Sequence, residues 1–191
     1  MKALTFVEID VDFCTLNFGV DPCRAQLGWE GDAGGPYAVD FDSETWLTRG
    51  AGLTGAANSK LVTVSGWIRV DVEDIEQRIV YSEQSAAERF TFYIDATTNK
   101  LCIVGRNGAG TIVLNVQSSA DVATIENQWV HFIASFDLSN TGKRHLYIDD
   151  VSDLNVVTYT DDTVDFTNDN WAVGAEPSGD SPFNGRLAEI W

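Results

Sequence analysis

Period-two alternation of apolar and polar residues recurs along most of this chain, and a backbone so patterned buries one side only as a strand packed against another layer. Val62, Val64, Ile68 and Val70 share one face of such a run, with Thr63, Ser65, Trp67 and Arg69 on the other. The pattern returns with Phe90, Phe92 and Ile94 against Arg89, Thr91, Tyr93 and Asp95, and again with Val130, Phe132, Ala134 and Phe136. Turn-forming clusters separate the runs: Thr97-Thr98-Asn99, Asn107-Gly108-Ala109-Gly110, Ser139-Asn140-Thr141-Gly142 and Pro177-Ser178-Gly179-Asp180. Strands joined by turns at this spacing predict an all-β chain, folded as a sandwich or jelly roll of two packed antiparallel sheets. Helical spacing finds no sustained match, and the acidic stretch Val72 to Arg78 offers at most one short turn.

Charge narrows the partners. The chain carries 12 Lys and Arg against 29 Asp and Glu, a formal charge of −17. Lys60, Arg69, Arg78, Arg89, Lys100 and Arg106 are spaced singly along the sequence, so a phosphate backbone or an anionic membrane surface would be repelled. No nucleic acid is expected as a partner, and no run approaches the roughly 20 apolar residues that span a bilayer. The first residues lack the basic, apolar and small-residue order of a signal peptide, and are strand-like instead: Thr5, Val7, Ile9 and Val11 alternate with Leu4, Phe6, Glu8 and Asp10.

Two regions differ in character. Residues 1–35 end in Gly31-Asp32-Ala33-Gly34-Gly35, just before Pro36, and read as an N-terminal anchoring arm; residues 36–191 read as the sandwich. Within the arm, Cys14 and Cys23 bracket Asn17-Phe-Gly-Val-Asp-Pro, whose Gly and Pro turn the chain back and bring the thiols near each other, as a disulfide or as two free thiols. Cys102 sits in an apolar run and reads as a buried thiol.

The landmarks of the larger region follow one another in a familiar order. Phe41-Asp42 precedes Leu61-Val-Thr-Val-Ser-Gly-Trp67-Ile, then Phe90-Thr-Phe-Tyr, Leu101-Cys-Ile-Val, Trp129-Val-His-Phe-Ile-Ala-Ser-Phe-Asp137, Leu146-Tyr-Ile-Asp-Asp150 and Phe183-Asn-Gly-Arg-Leu-Ala-Glu-Ile190. This succession resembles the laminin-G and pentraxin-like branch of the concanavalin A-like lectin/glucanase superfamily, which implies a jelly roll and includes lectins, hydrolases and adhesive modules. The opening Phe6-Val-Glu-Ile-Asp10, Cys14 and Asn17-Phe-Gly-Val-Asp-Pro-Cys23-Arg-Ala25 is similar to a segment of bacteriophage tail and virion structural proteins. That resemblance implies a homo-oligomeric virion component, assembled in host cytoplasm, whose residues 1–30 join other virion proteins while the jelly roll meets host-surface glycans. A glycan-binding or glycan-hydrolysing domain of a cellular carbohydrate-active protein is the alternative.

Chemistry is sparse in the sequence. A glucanase of the superfamily places acidic residues at alternate positions of one strand. Glu8-Ile-Asp10-Val-Asp12 has the spacing but precedes the sandwich, and reads as a charge-protected edge strand, so no catalytic residues are expected. His131 and His145 lie in strand runs without a nucleophile at triad spacing, and they form no zinc spacing with the cysteines. From Asp149 to Asp169 carboxylates accumulate without a Lys or Arg; Asp149 and Asp150 could contribute to a Ca2+ site at the rim, as in several relatives, or belong to a solvated acidic face. No cofactor is required. Of the tryptophans, Trp67 and Trp129 occupy positions that the resemblance marks as buried, whereas Trp46 and Trp171 flank polar loops and are the expected exposed platforms for a sugar ring.

Overall fold

The structure, a computed structural model, describes residues 38–85, 87–123 and 128–191. The alternating runs become strands β1 (Ala38–Asp42), β2 (Leu47–Arg49), β3 (Leu61–Val70), β4 (Gln77–Gln84), β5 (Ala87–Ile94), β6 (Lys100–Arg106) and β7 (Ile112–Asp121). They continue as β8 (Val130–Asp137), β9 (Arg144–Ile148), β10 (Val151–Ser152), β11 (Leu154–Tyr159), β12 (Asn170–Val173) and β13 (Asn184–Ala188). A six-stranded sheet runs β1-β13-β3-β8-β9-β10 and a seven-stranded sheet runs β11-β7-β6-β5-β4-β12-β2. Every pairing is antiparallel. Among the described residues there is no helix. The acidic stretch before β4 forms no turn of helix, because Asp74 adopts a left-handed φ of 57° and exchanges two hydrogen bonds with Asn99, tying the loop to the β5–β6 turn.

The core lies between the sheets. On the six-stranded side, Val62, Val64, Ile68 and Val70 of β3 join Phe132, Ala134 and Phe136 of β8 and Leu146 of β9. Facing them are Phe90, Phe92 and Ile94 of β5, Leu101 and Ile103 of β6, and Leu114 and Val116 of β7. The faces follow the sequence alternation, since antiparallel partners such as Val64 and Ala134, or Phe92 and Ile103, point the same way. Burying each aromatic side chain contributes about 2–3 kcal/mol.

One end of the sandwich is closed by residues 160–168. Ser59 and Val164 exchange backbone hydrogen bonds, Phe166 packs its ring on Phe90 at 5.3 Å, and the buried Asn168 amide donates to the Ser82 hydroxyl at 2.8 Å. The six-stranded sheet is completed by Trp191, whose backbone exchanges hydrogen bonds with Ser65 of β3 at 2.9 and 3.1 Å.

Gly66 lets that closure happen. It pairs in register with Phe132, and a Cβ at this position would meet the Phe132 ring at 3.2 Å and run into the Ile190 side chain. Gly66→Ala is therefore expected to lower unfolding free energy by about 1–3 kcal/mol in a urea titration. Gly50→Ala, where the added carbon meets nothing within 4 Å, should stay within about 0.5 kcal/mol of the parent.

Candidate functional site

On the outer face of the seven-stranded sheet, antiparallel register puts Arg78 of β4 beside Tyr93 of β5, and Tyr81 beside Thr91. The Arg78 guanidinium carbon lies 4.8 Å from the Tyr93 ring centroid and 5.5 Å from that of Tyr81, so the cation rests on two aromatic faces. Its nitrogens reach Thr91 Oγ1 at 3.3 Å and three carboxylates: Glu76 at 3.0 Å, Glu176 at 3.2 Å and Glu88 at 3.8 Å. Glu88 is shared with Arg106 of β6 at 3.2 Å, which extends the network across another strand. Arg78 is the best covered of the charged members, with 11% of its side chain exposed against 21% for Glu88, 24% for Glu176 and 39% for Glu76.

A tight loop carries Glu176 and leads to Trp46. The Gly179 N–H donates to the Glu176 carbonyl at 2.9 Å, closing a turn that places Pro177 second, where its fixed φ fits. Gly179 has a φ of +91°, and a Cβ there would stand 2.7 Å from the Trp46 ring, so the indole seats on bare backbone. Trp46 leads into β2, two strands from β4, and is 36% exposed. Before it, the Thr45 hydroxyl and then the Glu44 amide donate to Asp42, holding that carboxyl below the usual carboxylate range and shaping the loop. The result is one continuous patch: an exposed indole, a Gly-containing turn and a ring of carboxylates over a covered guanidinium.

Other expected site residues are placed differently. Trp171 is not an exposed platform: only 7% of it is accessible, because β12 lies between β4 and β2 and turns this side chain into the core. Trp67 is half-buried on the outer face of the six-stranded sheet instead of inside it, with its ring 4.8 Å from that of His131 across the β3–β8 register. Trp129, ahead of β8, is also half-buried. His131 is half-exposed and His145 exposed, as strand residues. Asp149 and Asp150 form the two-residue turn between β9 and β10, with φ of 48° and 64°, and the Asp149 carboxylate accepts the His131 N–H at 2.8 Å. Among the described residues, no three of His, Cys, Asp or Glu gather as a metal site. Cys14, Cys23, Glu8, Asp10 and Asp12 lie outside the described residues.

Sequence reading missed the Arg78 cluster. In the sequence these carboxylates share no strand and Arg78 stands alone, whereas the fold draws Glu76, Glu88 and Glu176 from separate places to one guanidinium. The legible signal was Tyr93 on the polar face of its run; Arg78 and Tyr81 differ in parity along β4, and only the register shift between Arg78 and Val80 brings them to one face.

A family model described as the concanavalin A-like lectin/glucanases superfamily matches residues 41–191. No curated protein matches the chain. Among solved structures, a Bacteroides ovatus protein provisionally classed as carbohydrate binding is similar at a TM-score of 0.60 and 17% identity, over 80% of this chain and 42% of that one. Domains LG4-5 of the mouse laminin α1 chain are similar at 0.54 and 15%, over 81% and 41%. The Ruminococcus gnavus IT-sialidase CBM40, bound to α2,3-sialyllactose, is similar at 0.53 and 15%, over 82% and 92%. The chain thus spans about two fifths of the length of the first two, and at these identities the likeness is one of fold.

The cluster sets a measurable pH response. Burial, reinforced by the charges of Glu176, Glu88 and Glu83 and opposed by Arg78, pushes the Tyr81 hydroxyl up to about 12; burial raises Tyr93 as well. An unfolded tyrosine ionises near pH 10. The folded state is thus favoured in full below about pH 10, and this contribution disappears as pH rises toward about 12. Urea midpoints measured across that interval should fall, with tyrosinate absorbance rising only as the protein unfolds. Arg78→Met, which leaves three half-exposed carboxylates without their shared cation, is expected to reduce stability by about 1–3 kcal/mol at pH 7.

Proposed function

The chain belongs to the concanavalin A-like lectin/glucanases superfamily, and from that premise we propose that it is a non-enzymatic, glycan-binding adhesion module of a bacteriophage virion. The observation that carries the glycan part is Trp46: an exposed indole seated on Gly179, next to carboxylates and a guanidinium that offer hydrogen bonds to hydroxyls. A sugar ring has an apolar C–H face and a hydroxylated edge, and this patch supplies a partner for each. That two similar structures are named for binding carbohydrate is consistent with the reading.

Binding is favoured over cleavage by the way the carboxylates are held. Hydrolysis of a glycosidic bond uses two carboxyl groups on either side of it, one of them donating a proton. Here Glu76, Glu88 and Glu176 all converge on Arg78, and Glu88 is held by Arg106 as well.

The virion part rests on the opening segment, whose resemblance to tail and virion proteins assigns residues 1–30 to anchoring. The strands of the sandwich run from Ala38 to Ala188, and a single shallow site on it would gain strength from many copies on one particle. Two measurements check the reading. Trp46→Ala should keep the parent's unfolding midpoint and weaken retention on the glycan that the full chain binds best by about tenfold, in line with loss of one aromatic contact; unchanged retention would remove the site from Trp46. Deleting residues 1–30 should leave a folded sandwich that still binds glycan but no longer joins particles, and incorporation at the parent's level would overturn the anchoring role.

A further inference from the structure

The arrangement of charge at the Arg78 cluster bears on which sugars the site accepts, a question that rests on the glycan reading above. Arg78 lies lowest: its guanidinium is wedged on Tyr81 and Tyr93, with 11% of the side chain exposed, and Glu76, Glu88 and Glu176 stand between it and solvent at 39%, 21% and 24%. The charges that the cluster offers most openly to solvent are therefore carboxylates, and the cation is the least exposed of them. The neighbouring cations do not change the sign. Arg106 is engaged by Glu88 at 3.2 Å, Arg89 faces Asp165 at 3.6 Å, and Arg49 pairs in register with the core-facing Trp171, on the other side of the sheet. Around them Glu83, Asp180 and Glu44 add negative charge on a chain whose formal charge is −17.

From this geometry we infer that the site selects neutral and amino sugars and excludes sugars that carry a carboxylate, sialic and uronic acids alike. An acidic sugar would have to displace a glutamate from Arg78 or sit among three of them, and like charges a few ångströms apart repel by several-fold in binding even in a watery setting. A glucosamine ammonium on the same patch accepts the opposite balance: three carboxylates within its reach, with Trp46 beside it offering a π face. The preference is the reverse of what the similar CBM40 structure holds, a sialylated ligand, and it comes from side chains that fold similarity does not convey.

The test uses the full chain on an array that carries each neutral glycan beside its sialylated or uronic counterpart and its de-N-acetylated, amino counterpart, at low salt and again near 0.5 M, where the screening length is only a few ångströms. Neutral and amino members should be bound, acidic members about tenfold less, and the gap should narrow in high salt. Glu176→Gln, with Glu88→Gln as a second variant should the first fail to fold, should narrow the gap between neutral and acidic members by about threefold to tenfold. Acidic members bound as well as their neutral counterparts, or a gap that neither salt nor the glutamine variants alter, would overturn the inference while leaving glycan binding intact. Binding to no member at all would bring down the glycan reading, and the inference with it.

Discussion

The Phe92 and Phe132 rings meet across the sandwich with centroids 4.7 Å apart, and neither side chain is accessible to solvent. One belongs to β5 and the other to β8, so this contact joins the two sheets and fixes which alternate residues of each strand face inward. The burial and the ring pairing together contribute several kcal/mol, and a slip of one residue in either strand would expose its ring and bury polar neighbours. Everything on the outer faces inherits its place from that parity. Thr91 and Tyr93 are outward because Phe90, Phe92 and Ile94 are inward; the same choice in β8 sends His131 outward to meet Trp67.

The strands were legible because their alternation is long. In β3, the sequence assigns Val62, Val64, Ile68 and Val70 to one face, and those side chains are buried as expected. It places Trp67 on the opposite face by the same rule, yet the family resemblance marked that tryptophan as buried; the alternation was the better guide, and the indole ends half-covered by a histidine. Trp171 went the other way. Its strand, Asn-Trp-Ala-Val, is too short for a period to emerge, and both β2 and β4 must be known to flank it before its burial can be read. The Asp149-Asp150 pair was visible as acidic but owes its geometry to the two-residue hairpin between β9 and β10.

The Arg78 cluster was hidden for a different reason. Its members come from the loop before β4, from β4, from β5 and from the loop after β12, and only sheet order brings β12 next to β4. Arg78 does two things there at once. Its backbone N–H donates to the Ser181 carbonyl at 2.9 Å while its side chain donates to Glu176, so both ends of the loop that seats Trp46 are fastened to one residue of the sheet. Binding surface and charge pattern are thereby coupled, since the cation that shapes the loop is also the one its carboxylates conceal.

The position of β13 has a consequence for how the chain is made. It lies between β1 and β3, and among the described residues β1 pairs with no other strand. While the polypeptide is emerging from a ribosome, residues 38–42 with the apolar Phe41 must therefore wait for their β13 partner until residues 184–188 follow. Contacts of such long sequence separation form slowly, and an idle strand edge invites pairing with other nascent chains. Completion of the six-stranded sheet is thus a late event in the life of each molecule, and the interval before it is when the protein depends most on its many negative charges to keep copies apart.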